Sequence, residues 1–272
     1  MNAAIALPFR VYWQPGCTSC LRTKEFLAAH GVPFESINVL QSPTAMAELQ
    51  AMGLRSVPVL AQGRRFTQAQ DIDDVARFVG IDTHRKRLSS QALLARLDSL
   101  LALSASIVAV IPEARLGDQI PQRPRSYADI AYHVGMITQG FLDAADERRC
   151  DPAMQRLSLT YEHFERKPAV AMQNATALPQ WLQQCRVQLA DWAQMAAARD
   201  DTATLQTYYG VRPMHAVLER TAWHVAQHVR QLDFIATEVL HLSAAAACRL
   251  PAELLEGLPV PTGIWDPEVV FA

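Results

Sequence analysis

Cysteine is sparse and unevenly placed in this chain. There are five in 272 residues, with Cys17 and Cys20 together and Cys150, Cys185 and Cys248 scattered through apolar, helical contexts. An odd, dispersed set of this kind is not the framework of a small secreted domain stapled by disulfides. An excess of one charge is lacking too: 25 Lys and Arg stand against 27 Asp and Glu, a formal net charge of −2. That leaves no electrostatic footprint for nucleic acid or an anionic membrane. The most apolar stretch, Leu93 to Ile111, is broken by Arg96, Asp98 and serines, so it is expected to be a core helix and not a membrane span. Met1 to Leu7 carry neither a cationic leader nor a small-residue cleavage site and run almost directly into a strand-like segment. The expectation is a cytoplasmic protein without a membrane partner or a nucleic-acid partner. No internal repeat or low-complexity tract is evident.

What is present divides the chain in two. Between Phe9 and Gly80, β-rich runs (Phe9–Trp13, Phe34–Val39, Val57–Ala61, Arg64–Phe66) alternate with helical ones (Ser19–His30, Thr44–Met52, Asp71–Val79), which reads as βαβαββα. Gly31-Val32-Pro33, Ser42-Pro43 and Gln62-Gly63 punctuate the elements. From Gln91 onward the period is helical. One stripe carries Leu93, Leu94, Leu97, Leu100, Leu101, Ile107, Val108 and Ile111; a second helix starts at Ser126 with Asp129 as a capping partner. A third helix spans Leu178 to Met195, and a fourth, after Gly210, runs to Val239. The predicted plan is an α/β domain over 1–82, a linker at 83–90, a four-helix bundle over 91–245 and a proline-rich tail over 246–272. Cys150 to Ala177 reads as a long connection with weak periodicity. The tail, with Trp265, Val269, Val270 and Phe271, is expected to lie against a domain surface.

The run Val11-Tyr12-Trp13-Gln14-Pro15-Gly16-Cys17-Thr18-Ser19-Cys20 puts a Cys-x-x-Cys directly after a strand and at the start of a helix. A helix N-terminus offers unpaired N–H donors and about half a positive charge, which stabilises a thiolate there. Cys17 is therefore the expected nucleophile and Cys20 the resolving thiol. No second Cys-x-x-C pair exists to complete a zinc ribbon. About 40 residues on, Ser56-Val57-Pro58 precedes a strand, and here the chain resembles the glutaredoxin family within the thioredoxin fold, over roughly residues 8 to 80. The resemblance implies a cis bond at Pro58, with the Val57 backbone pairing to a bound thiol. It also implies that Asp73 and Asp74 help receive a thiol such as glutathione. The matching stretch Gln70-Asp71-Ile72-Asp73-Asp74 keeps the family's acids and lacks its two glycines.

Trp223-His224-Val225-Ala226-Gln227-His228 contains an H-x-x-x-H, whose spacing puts both imidazoles on one helical face. His133 falls on the apolar stripe of the second helix, between Ile130 and Ile137. Three inward histidines can supply three neutral nitrogen ligands and leave one coordination position open. The Glu of H-E-x-x-H is missing, so a zincin protease pattern is excluded. Helix layout and histidine placement resemble the DinB-like metal-binding superfamily over roughly residues 90 to 245. That resemblance implies His133, His224 and His228 as ligands of a divalent metal, zinc or nickel, and chemistry that depends on a low-molecular-weight thiol. Asp129 either orients the His133 ring or acts only as a helix-start acid, and Tyr132, Tyr208, Tyr209 and Arg230 are candidate substrate contacts. His30, His84, His163, His215 and His241 have no comparable placement.

The expected activity is thus a glutaredoxin-type thiol–disulfide domain coupled to metal-assisted thiol transfer, isomerisation or detoxification. The partners would be a small thiol and a second substrate, and the assembly a homodimer. The alternatives are an oxidoreductase whose helical domain serves only for recognition, and a non-enzymatic redox or metal sensor.

Overall fold

The computed structural model describes residues 7–120, 123, 125–146, 158–159, 173–196 and 203–268. Cys150, His163, Val269, Val270, Phe271 and most of the weakly periodic connection lie outside the described residues. The chain forms two compact units, one of residues 1–85 with 261–272 and one of residues 86–260. The expected tail thus divides between them.

In the first unit, β1 (Phe9–Trp13), α1 (Thr18–Ala29), β2 (Phe34–Asn38), α2 (Ala45–Ala51), β3 (Val59–Gln62), β4 (Arg65–Gln68) and α3 (Ile72–Val79) follow one another. The sheet order is β2-β1-β3-β4. β1 runs parallel to β2 (Trp13 opposite Asn38) and antiparallel to β3 (Val11 opposite Leu60). This mixed sheet with flanking helices is a thioredoxin-like fold. Strand β1 lies inside the sheet and buries Val11, Tyr12 and Trp13, so whatever follows its end is held on a rigid platform. Gly63, at φ +61°, makes the β3–β4 turn that a side chain would strain. Asp71 caps α3 by accepting from Asp73 N–H at 3.0 Å, and Gly80, at φ +77°, ends it.

The second unit is mainly helical: α4 (Ser90–Val110), α5 (Tyr127–Ala145), α6 (Ala177–Ala196) and α7 (Met214–Phe234). α4 and α5 each pack against α6 and α7. By length and composition α4 is apolar enough to cross a bilayer; of the expected stripe, Leu93, Leu97, Leu100, Leu101, Ile107, Val108 and Ile111 are buried, whereas Leu94 is only half-buried. Burial of each such side chain contributes about 1.5–3 kcal/mol. Ser89 caps α4 and a Ser126–Asp129 capping box starts α5. Trp181 of α6 lies so close to α5 that a Cβ on Gly135 would come within 2.2 Å of its ring.

Two sequence expectations change. The region after Gln91 is not wholly helical: β5 (Ser158–Leu159), β6 (Thr204–Thr207) and β7 (Gly210–Pro213) form a small sheet, with β6 and β7 as a hairpin. Its alternation, Leu205 and Thr207 inward and Thr204 outward, is too short to stand out against the helical periods around it. The third strand begins at Val59 and not Val57, because Pro58 has no N–H to give the ladder.

Candidate functional site

The loop Gln14-Pro15-Gly16 carries the chain from the end of β1 to Cys17, which is the N-cap of α1. Cys17 Sγ accepts from Cys20 N–H at 3.2 Å, the contact that an N-cap thiolate would exploit. The two sulfurs are joined in a disulfide, with the Cα atoms 5.2 Å apart. Cys17 is half-buried and Cys20 wholly buried, so the outer sulfur is the one a substrate can reach. The remaining described cysteines are poor nucleophiles: Cys185 is buried, and burial pushes the Cys248 thiol up.

The Val57–Pro58 bond is cis. Its loop is tied to α1 by residues that sequence reasoning did not single out. Gln70 Nε2 donates to Val57 O at 3.1 Å, and Arg22 Nη2 donates to Gln70 O at 2.9 Å. Arg22 and Gln70 are both buried. Asp73 and Asp74 sit in the first turn of α3, where Asp73 pairs with Arg85 at 3.4 Å and Asp74 with Arg77 at 2.7 Å.

Behind the dithiol, Lys24 Nζ lies 3.7 Å from the centroid of the Trp13 ring. The same ammonium meets two tail carboxylates, Asp266 Oδ2 at 2.7 Å and Glu268 Oε1 at 3.0 Å. Glu25 accepts from the backbone N–H groups of Thr262 and Gly263. The tail thereby also walls a groove of about 620 Å³ at the ends of β1 and β2, lined by Trp13, Asn38, Gln41 and Pro267.

In the helical unit His133 of α5 meets His224 and His228 of α7, and all three are buried. One ring nitrogen from each lies within 4.8 Å of the others, a spacing that could hold a metal ion. The ring centroids are 4.9 to 5.5 Å apart. Burial pushes the pKa of His133 and His224 well down, and the positive charges of Arg125 and Arg220 push the same way. His228 falls to about 3, through burial first and Arg125 second. The rings are neutral at pH 7 and present lone pairs. His228 Nδ1 donates to Gln231 Oε1 at 2.7 Å, and its Nε2 is buried with no hydrogen-bond partner. Gln231 is the orienting group that sequence reasoning missed; its signal was a polar residue three positions after His228 on an apolar stripe.

The other candidates fall in different places. Asp129 Oδ2 accepts from Ser126 N–H at 3.0 Å, so it acts in the helix cap. Tyr132 stacks on Trp181 at 4.5 Å. Arg230 donates to Gln227 Oε1 at 2.7 Å. Tyr208 and Tyr209 occupy the β6–β7 turn, where Arg220 Nη2 donates to Tyr208 Oη at 3.0 Å. His215 is held by Leu88 O at 2.8 Å.

A mixed sheet that delivers a Cys-x-x-Cys to a helix N-terminus, with a cis-proline loop tied to that helix, defines a thioredoxin-like thiol–disulfide unit. Residues 10–67 match the glutaredoxin family model. The match takes in β1 to β4 and ends before α3 and the helical unit. No curated protein and no solved structure matches the chain.

Proposed function

We propose that the chain is a two-centre thiol enzyme, in which a glutaredoxin-type dithiol works alongside a DinB-like four-helix bundle that holds a divalent metal, zinc or nickel. The observation that carries this reading is the convergence of three buried imidazoles, one of which, His228, is hydrogen-bonded at Nδ1 to Gln231 and keeps a buried Nε2 without a hydrogen-bond partner. An unpartnered buried polar atom costs about 1–3 kcal/mol, and metal coordination removes that cost. His133, His224 and His228 are the ligands in this reading. When bound, the metal supplies Lewis-acid activation of a thiol, a water or a substrate carbonyl.

At the other centre Cys17 attacks a substrate disulfide, releasing one thiolate and forming a mixed disulfide. Cys20 then displaces the second thiolate and leaves the Cys17–Cys20 disulfide, which two equivalents of glutathione or a similar thiol reduce. The β1–α1 junction holds Cys17 at the helix N-terminus, and the Arg22–Gln70–Val57 chain holds the cis-proline loop. Tethering two modules in one chain keeps each at high effective concentration for the other's product.

Elemental analysis of the untagged chain beside a His133/His224/His228→Ala variant tests the metal centre. The expected result is about one divalent ion per chain, lost in the variant; no metal in either, even after zinc or nickel is supplied, sinks the metal reading. Disulfide turnover with a thiol reductant tests the dithiol, and Cys17→Ser should abolish it. Loss of thiol-transfer activity in both Cys17→Ser and His228→Ala would show the two centres acting in one reaction.

A further inference from the structure

β1 and β2 run parallel and end side by side, Trp13 opposite Asn38, and the groove of about 620 Å³ opens at those two ends. The crevice outside the carboxyl ends of parallel strands is where open α/β sheets take their ligands. Trp13, Ile37, Gln41 and Ser42 line it, and Pro267 and Glu268 of the tail form its wall. Trp13 is 2% exposed, and its indole Nε1, the only polar atom of that ring, is buried with no hydrogen-bond partner. An unmet buried donor costs about 1–3 kcal/mol, a cost that an acceptor brought into the groove removes. The described lining holds no Lys, Arg or His to attract an anion. Its one charged residue, Glu268, already accepts from Lys24 Nζ at 3.0 Å and from Ser36 Oγ at 3.3 Å. Indole, amide and hydroxyl groups around an isoleucine and a proline suit a neutral chain of alternating N–H and C=O groups. Trp13 also stands four residues before Cys17, so the two are at most about 14 Å apart, the reach of about four residues of extended peptide. The cis-proline loop leads into β3, on the other side of β1 from β2, so loop and groove flank the strand of the dithiol on opposite sides.

We propose that this groove is a peptide subsite, which receives main chain flanking the disulfide that Cys17 attacks, so that the dithiol unit acts on polypeptide disulfides in preference to small ones. This deepens the dithiol reading and rests on it. The Cys17 thiolate bonds one substrate sulfur and the other leaves as a thiolate; Cys20 then expels the first, so two substrate thiols form as the Cys17–Cys20 disulfide closes. The groove contributes binding to this exchange and no chemistry, and its effect falls on the half-saturating concentration of the substrate. Through Pro267 and Glu268 the tail becomes part of the specificity of a dithiol about 250 residues earlier in the chain.

The test mixes the pre-reduced full chain with each of two disulfides in a single turnover and measures the thiol released after an acid quench. One is the disulfide-linked dimer of a neutral Ser/Ala heptapeptide with a central cysteine, blocked at both ends; the other is bis(2-hydroxyethyl) disulfide. The maximal rate divided by the half-saturating concentration should favour the peptide by about ten-fold or more, the worth of one or two net hydrogen bonds. Gln41→Ala/Ser42→Ala should cut that preference by about five-fold or more. No preference in the wild type, or one that the double variant keeps in full, overturns the subsite, while turnover of the small disulfide leaves the dithiol reading standing. A second readout is a proton–nitrogen NMR titration of full-length Cys17→Ser with the same heptapeptide carrying serine for its cysteine. The Trp13 indole signal, identified by its absence from Trp13→Phe, should shift on titration; a signal that stays in place at millimolar peptide overturns the proposal. If the wild type reduces neither disulfide, the dithiol reading falls and this titration decides the subsite alone.

Discussion

Replacing Asp266 by Ala should unlock the dithiol unit from behind. Asp266 is buried and sits 2.7 Å from the Lys24 ammonium, which is itself buried under the Trp13 ring. Removing one partner of a buried pair typically costs about 3–5 kcal/mol, because the other charge stays in place uncompensated. Here part of that cost is offset. Glu268 remains 3.0 Å from Lys24 but is half exposed, a contact worth about 0–1 kcal/mol, and the Trp13 face contributes about 0.5–2 kcal/mol. The expected net loss is about 2–3 kcal/mol. At about 1.4 kcal/mol per factor of ten, amide protection in peptides from β1 and α1 should fall roughly 30- to 150-fold, as read by hydrogen exchange with mass spectrometry. Lys24→Met/Asp266→Leu, which removes both charges and keeps the volume, should recover most of that loss. A change in protection below about three-fold in Asp266→Ala, or a double variant as unstable as the sum of the singles, would refute the reasoning.

Three more outcomes are expected. The metal-free protein should lose stability as pH falls below about 6.5, since the unfolded chain then takes up protons that the buried neutral histidines refuse. With the folded His228 pKa at about 3, that residue alone should contribute about 2 kcal/mol of loss between pH 7 and pH 5, and chemical denaturation that is flat across this range would count against it. Gly135→Ala should drive a methyl into the Trp181 ring and cost about 1–3 kcal/mol, seen as a lower melting temperature; an unchanged melt would mean that Trp181 moves aside freely. Gln231→Leu should weaken metal binding about 10- to 100-fold while dithiol turnover stays at the wild-type rate, and equal metal affinity would remove Gln231 as the orienting group for His228.

Much of this was legible because it is local. The run from Val11 to Cys20 contains its own strand, turn and helix start. The H-x-x-x-H of α7 and His133 of α5 each show on a helical stripe. What escaped is what depends on distant partners. Arg22 reads as an ordinary helix cation until the chain folds Gln70 against it. Asp266 reads as one more acid in a proline-rich tail until Lys24 is seen beneath Trp13. The β6–β7 hairpin is hidden because four-residue strands offer only two inward positions each, whereas the helices around it repeat their signal for five turns. Asp73 and Asp74 were visible as acids. Asp74 meets Arg77 within the same helix, three positions on, whereas the engagement of Asp73 with Arg85 depends on the return of the chain after α3.

The return of the tail to α1 also sets an order in time. Lys24 and Glu268 are 244 residues apart, and a ribosome adds roughly 5–20 residues per second. A newly made Lys24 therefore waits roughly 10–50 s for its carboxylates, an interval in which the whole helical unit is synthesised. The part of the protein made first is the last to receive all of its partners, so a ribosome that stalls after α7 releases a chain with its histidines in place and its dithiol unit still lacking a wall.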